Sequence, residues 1–209
     1  SGSAAARLIA QAAANHPALA PALVDDRFVA AARDVAKIVG TRPWRRILVA
    51  GPSAVVEQAV EAAGVRAAEA LNDTGDWKGI IIVVLGDGDC ATRLSKLPHV
   101  RVEFAPLAAA SSVIASCDSV LLGAESVHLD GRLLVVEGVT GVTVLAASLN
   151  VPVYALVQTI KFESDLLLAD TDKQGLEMLS KNLVAGIVTE HGEISPSAAA
   201  LVCKRYGTV

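Results

Sequence analysis

Aromatic residues are scarce in this chain: three Phe, two Tyr and two Trp make up 3% of its 209 residues. The 53% that is hydrophobic is therefore mostly Ala, Val, Leu and Ile, enough to bury a sizeable core of branched aliphatic groups. Cysteine is rare as well. Cys90, Cys117 and Cys203 are odd in number and far apart, so no disulfide framework, CxxC pair or zinc spacing can be read from them. Buried free thiols in a reducing compartment are the expectation. The longest strongly apolar run, Ile80–Leu85, is far short of the ~20 residues needed to cross a bilayer. Nor is positive charge in surplus: 18 Lys and Arg stand against 22 Asp and Glu, a net charge of -4. Phosphate backbones are neutralised by an excess of cations, so direct nucleic-acid binding is not expected. Ser1-Gly2-Ser3 reads as a cloning scar, no signal peptide with a basic n-region follows, and a cytoplasmic location is expected.

The chain does contain aliphatic patterning of two kinds. Residues 4 to about 39 read as helices, interrupted by His16-Pro17 and Pro21. From an N-cap at Asp25 or Asp26, Phe28, Ala32, Val35 and Val39 recur at spacings of four, three and four, which is one face of an amphipathic helix. Gly40 stands where a left-handed C-terminal residue belongs. After Pro43 the texture changes to short aliphatic runs: Arg46–Ala50, Ile80–Leu85, Val100–Phe104, Ser119–Leu122 and Val153–Val157. Runs of this kind without clean polar alternation are expected of strands covered on both faces. Helices are predicted between them, over 53–63, 89–96, 107–116 and 138–149. A further strand is predicted within Leu183–Val188, then a helix opened by Ser195 as cap and Pro196 at its first position. Alternation of β and α with short connections predicts an α/β fold with a doubly wound, mostly parallel sheet and helices on both faces. The division expected is a helical segment over 4–42 followed by a Rossmann-like domain over 43–209.

In such a sheet ligands bind beyond the carboxyl ends of the strands. The residues to examine are therefore Ala50-Gly51-Pro52-Ser53, Gly86-Asp87-Gly88-Asp89, Ala105-Pro106, Gly123-Ala124-Glu125 and Gln158-Thr159. Gly51–Ser53, opening a helix, could hold a phosphate on helix N–H groups, although glycine after a strand more often only makes the turn. Gly86-Asp87-Gly88 is an incomplete dinucleotide fingerprint, and its loop aspartates repel a pyrophosphate. No G-x-x-x-x-G-K-[ST] and no G-x-S-x-G is present. His16, His99, His128 and His191 are dispersed, with no metal pair among them, and a surface or turn position is expected for each. Arg42, Arg45 and Arg46 flank Trp44. Solvated charge is the expectation there, ahead of an RNA contact.

From Arg46 onward the order of motifs resembles one superfamily. Val120-Leu121-Leu122-Gly123-Ala124-Glu125-Ser126-Val127 followed by Asp130-Gly131 is similar to its VLLGA(D/E)xV…NG stretch. Asn150-Val151-Pro152-Val153-Tyr154, Thr159-Ile160-Lys161-Phe162 and Leu183–Gly192 follow in the same order. That superfamily unites the alpha, beta and delta subunits of translation initiation factor 2B with methylthioribose-1-phosphate and ribose-1,5-bisphosphate isomerases. Four motifs in order at compatible spacing are specific where each alone is weak. Two stretches depart from the family pattern. About 40 residues precede the sheet region in place of a long helical domain, and Leu179-Ser180-Lys181-Asn182 replaces a Thr-Pro-Pro-Glu, so that turn is expected to differ.

The resemblance also implies a site. The isomerases resemble one another in a reactive cysteine, an acid, an Asn-Lys pair near the substrate phosphate and an arginine-bearing loop. On this sequence the cysteine position falls on Gly51, the acid on Glu125, the Asn-Lys pair on Val135-Val136 and the loop on Gly86–Asp89. Only the acid keeps its chemistry. The pocket expected to be vestigial comprises Ala50, Gly51, Ser53, Gly86, Asp87, Gly123, Glu125, Val135 and Val136, with no catalytic residue, metal or cofactor. The expectation is a non-catalytic regulatory or scaffold subunit of the exchange factor, closest to the beta type. Its partners would be sister subunits of initiation factor 2B and initiation factor 2, in a dimer or hetero-oligomer, with no membrane. An isomerase using Glu125 in a rearranged site, and a relic pocket sensing a sugar phosphate or nucleotide, are the alternatives.

Overall fold

The computed structural model describes residues 26–69, 79–85, 88–163 and 175–206. Helix α1 (Asp26–Gly40) leads into strand β1 (Arg46–Ala50), α2 (Ala54–Glu69), β2 (Ile80–Leu85), α3 (Gly88–Leu94) and β3 (Val100–Ala105). A 3-10 turn, Leu107–Ala109, and α4 (Ala110–Ala115) return the chain to β4 (Ser119–Gly123). Next come β5 (Ser126–His128), β6 (Leu133–Val136), α5 (Val139–Ser148), β7 (Val153–Leu156), β8 (Phe162–Glu163) and β9 (Leu176–Leu179). β10 (Gly186–Thr189), β11 (Gly192–Ile194) and α6 (Ala199–Tyr206) complete it. Residues 1–25, and with them the expected Ala-rich helix and its His16-Pro17 break, lie outside the described residues.

The larger sheet has seven strands in the order β11-β10-β7-β4-β1-β2-β3. All its pairings are parallel except β10 with β11. The chain winds from β1 to β3 on one side, then crosses to β4 and winds on through β7 and β10, so the switch point lies between β1 and β4. The reason is visible in β1. Leu48 and Ala50 enter one buried cluster with Ile114, Val139 and Ala146 of α4 and α5; Ile47 and Val49 enter the other with α1, α2 and α3. A strand apolar on both faces needs a helical layer on each, as the run Ile47–Ala50 predicted.

Helix α1 finds its partner here. Ala32, Val35, Ala36 and Val39 are buried against α2 and β10. Burying a valine side chain contributes roughly 1.5–3 kcal/mol, more than the helix propensity of so short a segment supplies, so packing holds α1 in place. Phe28 is among the residues whose side chains are not described. The helix runs through Gly40 instead of ending before it.

Several expected boundaries move. α2 continues to Glu69, and the helix expected over 107–116 is a 3-10 turn followed by a single short helix. The strand expected within Leu183–Val188 starts later, because Lys181–Leu183 form a 3-10 turn capped by Ser180, whose hydroxyl accepts the Asn182 N–H. Ser195 likewise accepts the Ser197 N–H, but Pro196 opens a 3-10 turn before α6 begins at Ala199. β3 is a larger departure. Val100, Val102 and Phe104 alternate with Arg101 and Glu103, and this half-covered pattern places the strand at the sheet edge.

A second, four-stranded sheet was not foreseen: β8-β5-β6-β9, with β5–β6 and β6–β9 antiparallel. Its strands have two to four residues, below the length at which alternation becomes legible. It packs on the α4/α5 side, where Val127, Leu133, Val135, Phe162 and Leu179 join the first cluster. Its hairpin turns at Gly131, which has φ +87 and lies so close to the Pro196 carbonyl that a Cβ there would be 2.3 Å from the oxygen.

Two predictions follow from this packing. Gly131→Ala pays both for its left-handed backbone and for the clash with Pro196, and is expected to lower stability by about 2 kcal/mol or more, read as a depressed melting temperature. Cys90, Cys117 and Cys203 are all buried thiols. Burial pushes the Cys117 thiol up to about 11 against the opposing pull of the Arg46 guanidinium. At pH about 8 that thiol is protonated and occluded, so thiol reagents are expected to label the three cysteines only on unfolding.

Candidate functional site

The crevice at the switch point is built by the chain leaving β1 and β4. After Ala50 the backbone turns at Gly51, with φ +78, through Pro52 and Ser53 into α2. Ser53 sits at the start of that helix, where its hydroxyl lies 3.5 Å from the Val56 N–H and its carbonyl accepts the Glu57 N–H at 2.9 Å. The same side chain presses on β4. A Cβ added to Gly123 would lie 2.3 Å from the Ser53 hydroxyl oxygen, so glycine is what lets β4 and the α2 entry meet. Gly51 faces the other wall, where an added Cβ would be 3.3 Å from Val139 and 3.9 Å from Val136. Ala50, Gly51, Ser53, Gly123 and Val136 are thus brought together. Val135, next in the strand, points away and is fully buried in the core beneath.

Val139 opens α5, and Gly138, with φ +92, carries the chain into it. The N–H of Thr140, in the first turn, donates to a carboxylate oxygen of Glu177 at 2.7 Å. Glu177 reaches it from β9, which pairs with β6 directly ahead of the helix. An acidic group on free N–H groups at a helix N-terminus is favourable, by about 0.3–1 kcal/mol at exposed sites and more where partly buried. The helix end that follows Val135-Val136 is therefore already occupied by an internal anion. Sequence reasoning did not single out Glu177, because the partner strand that delivers it comes about 40 residues later through the unforeseen sheet.

Glu125, just past β4, is held by its backbone N–H donating to the Leu134 carbonyl at 2.8 Å. Its side chain is 34% exposed and 4.0 Å from the Lys161 ammonium. Lys161 also donates to the Ala124 carbonyl at 2.8 Å. Burial lowers the lysine's pKa, and the Glu125 charge opposes that shift. Lys161 lies in the Thr159–Phe162 stretch that carries the family resemblance, yet no local pattern marks it as the cation opposite Glu125. Nearby, Thr159 donates both its N–H and its hydroxyl to Glu190, tying the loop after β7 to the loop after β10. The Gln158 side chain is fully buried, and its amide N and O have no protein partner among the described residues.

Other expected features fall elsewhere. Gly86 and Asp87 lie outside the described residues, while Gly88 and Asp89 form the exposed start of α3. His128 is not a surface or turn histidine. It is 1% exposed within β5, with its Nε2 3.4 Å from the Ser126 hydroxyl, because the second sheet covers it. His99 does occupy a turn, with φ 57 ahead of β3. Arg42 is not a solvated charge. Its guanidinium stacks 5.5 Å from the Trp44 ring centroid and 5.4 Å from that of Tyr154, and it forms an ion pair with Glu193. Arg46 pairs with Glu103 at 2.6 Å. Among the described residues no group of His, Cys, Asp and Glu is placed to hold a metal ion, and no helix is long and apolar enough to cross a membrane.

The model of the Initiation factor 2 subunit family matches residues 86–186, the stretch that carries β4, Glu125, Glu177 and Lys161. Among solved structures, translation initiation factor eIF2B beta from Chaetomium thermophilum is similar at a TM-score of 0.70 and 18% identity, over 88% of this chain and 56% of that one. The tetrameric eIF2B-beta2-delta2 complex from the same organism is similar at 0.67 and 18%, over 87% and 62%. The Pyrococcus horikoshii OT3 translation initiation factor eIF-2B is similar at 0.67 and 18%, over 85% and 68%. The chain thus spans little more than half of the beta subunit's length, and at these identities the likeness is one of fold. No curated protein sequence matches the chain significantly.

The half-buried lysine gives a pH test. Its folded pKa lies below the ordinary value of 10.5, so between the two the unfolded chain binds the extra proton. The contribution of Lys161 to stability is then least favourable below its folded pKa and improves as pH climbs from there towards its ordinary value. The stability of the wild type minus that of Lys161→Met, from urea unfolding, is expected to rise with pH over that window; a flat difference would contradict the shift.

Proposed function

We propose that this chain, which is similar to the Initiation factor 2 subunit family over residues 86–186, is a non-catalytic regulatory or scaffold subunit of the exchange factor of translation initiation, of the beta type. The observation that carries the reading is the Glu177 carboxylate on the Thr140 N–H at 2.7 Å. The resemblance puts the isomerases' Asn-Lys pair, near the substrate phosphate, at Val135-Val136, immediately before that helix end. A phosphate entering there meets a fixed negative charge and no lysine from the pair. Like charges a few ångströms apart in a partly desolvated cleft repel by several kcal/mol at an effective dielectric of about 20.

The opposite wall agrees. At the cysteine position Gly51 presents no nucleophile, and its surroundings are Val136 and Val139. The cation in the crevice, Lys161, is engaged by Glu125 and the Ala124 carbonyl. A cleft whose charges satisfy one another has little to offer a sugar phosphate, and the chain's work is then contact with other proteins. We take its partners to be sister subunits and initiation factor 2, in the cytoplasm, with no direct role for a membrane or nucleic acid. Assembly of the related beta and delta chains into a tetramer supports the first of these.

A second reading rests on Glu125. It remains partly exposed in the crevice beside a lysine, and a carboxylate there is able to move a proton between neighbouring carbons of a sugar 1-phosphate. The experiment that separates the two incubates the purified chain with methylthioribose-1-phosphate and with ribose-1,5-bisphosphate and measures ketose formation. No product above the uncatalysed rate is expected. Turnover abolished by Glu125→Gln would establish the isomerase instead. In parallel, affinity capture from the source cells is expected to return other subunits of initiation factor 2B, identified by mass spectrometry.

A further inference from the structure

We propose that Trp44, Tyr154 and Glu193 form a built cage for a guanidinium group, and that its occupant, Arg42, is the strap that keeps helix α1 docked on the sheet. The floor of the cage is a row across three strands. Gly186 of β10 stands beside Tyr154 of β7 in the parallel register. Glu193 of β11 pairs with Val188, two residues further along β10 and therefore on the same face as Gly186. From there its carboxylate folds back over Gly186, where an added Cβ would lie 2.6 Å from Oε1. A side chain at that position would stand between the Tyr154 ring and the Glu193 carboxylate. Trp44 supplies the remaining wall from the connection ahead of β1, its ring 5.2 Å from that of Tyr154 and tilted by 41°.

The Arg42 guanidinium lies with its Cζ 5.5 Å from the Trp44 ring centroid and 5.4 Å from that of Tyr154, and it pairs with Glu193. A planar, weakly hydrated cation suits two ring faces and a carboxylate, whereas an ammonium can neither stack nor offer a fork of donors. The whole chain has two Trp and two Tyr, and one of each stands here. The site also stays open to solvent, with 31% of the Arg42 side chain and 35% of the Glu193 side chain exposed. Fastenings of this kind are weak enough to open and close in water.

Arg42 is continuous with α1. Its N–H donates to the Val39 carbonyl at 3.0 Å, and Thr41 donates both its N–H and its hydroxyl to the Ile38 carbonyl. Pro43 then restricts the backbone just beyond it. The last turn of α1 therefore moves with Arg42. Besides the cage, α1 is held by burial of Ala32, Val35, Ala36 and Val39, and two of these bring only a methyl group each. So small an apolar face leaves the docking of the helix sensitive to a fastening at its end, and release frees that face as a unit. The device does not depend on the role proposed above.

Hydrogen exchange of the full chain, followed by mass spectrometry, tests it. Arg42→Ala is expected to speed exchange of the α1 amides about tenfold and to leave those of α5, which pack in the other cluster, unchanged. Arg42→Lys is expected to act nearly as strongly, because it keeps the charge and loses the planar group. Methylguanidinium at about 50 mM, compared with the same concentration of sodium chloride, is expected to slow α1 exchange in Arg42→Ala. The free cation then bridges Trp44 of the connection to Tyr154 and Glu193 of the sheet. No slowing is expected in Arg42→Ala/Glu193→Gln, which lacks the carboxylate. Wild-type exchange of α1 in Arg42→Ala, or α5 exchange rising together with that of α1, would overturn the strap. Wild-type exchange in Arg42→Lys, or no effect of methylguanidinium on Arg42→Ala, would overturn the cage.

Discussion

The two-sided burial of β1 is the constraint on which the rest of the molecule depends. Leu48 and Ala50 belong to one core and Ile47 and Val49 to the other, so helices must cover both faces. A single chain can supply both layers with right-handed crossovers only by reversing its direction of winding once. That reversal falls between β1 and β4 and opens the crevice beyond their carboxyl ends. The glycines there serve packing first. Gly123 admits Ser53, and Gly51 turns the chain against Val139.

What fills the crevice is a set of internal substitutes for a ligand. Glu177 occupies the helix end, Lys161 faces Glu125, and Glu190 accepts twice from Thr159. Each of these groups reaches its partner from a different strand or loop, so the cleft is braced across its width. Bracing of this kind agrees with the role we propose, because catalysis on an anion requires donors and cations left free to meet charge as it arrives.

The periphery of the sheet is organised by a different balance. On the α1 side, Arg42, Trp44, Tyr154 and Glu193 tie the connection ahead of β1 to β7 and β11. β11 itself is short and antiparallel, and its Glu193 side chain lies against Gly186 of β10, where a Cβ would be 2.6 Å away. The opposite edge, β3, carries alternating charge and an exposed phenylalanine. The two ends of one sheet therefore differ in chemistry: one is clasped by its own side chains, while the other has no further strand beyond it among the described residues.

Strand runs such as Ile80–Leu85 and Arg46–Ala50, and the heptad-like face of α1, were legible from composition and period alone, because burial on both faces or on one stripe is a local property of the chain. The α/β class and the loops lining the crevice followed from them. Short elements were not legible: strands of two to four residues in the second sheet carry too little pattern, and with them went the burial of His128 and the approach of Glu177. The 3-10 turns at Leu107 and Lys181 escaped for the same reason: each is only three residues long, too short for a periodic pattern, even where Ser180 caps the second. Which charges meet, Lys161 with Glu125 or Arg42 with Glu193, depends on distances between segments about 40 to 150 residues apart, and a one-dimensional pattern holds no record of such distances.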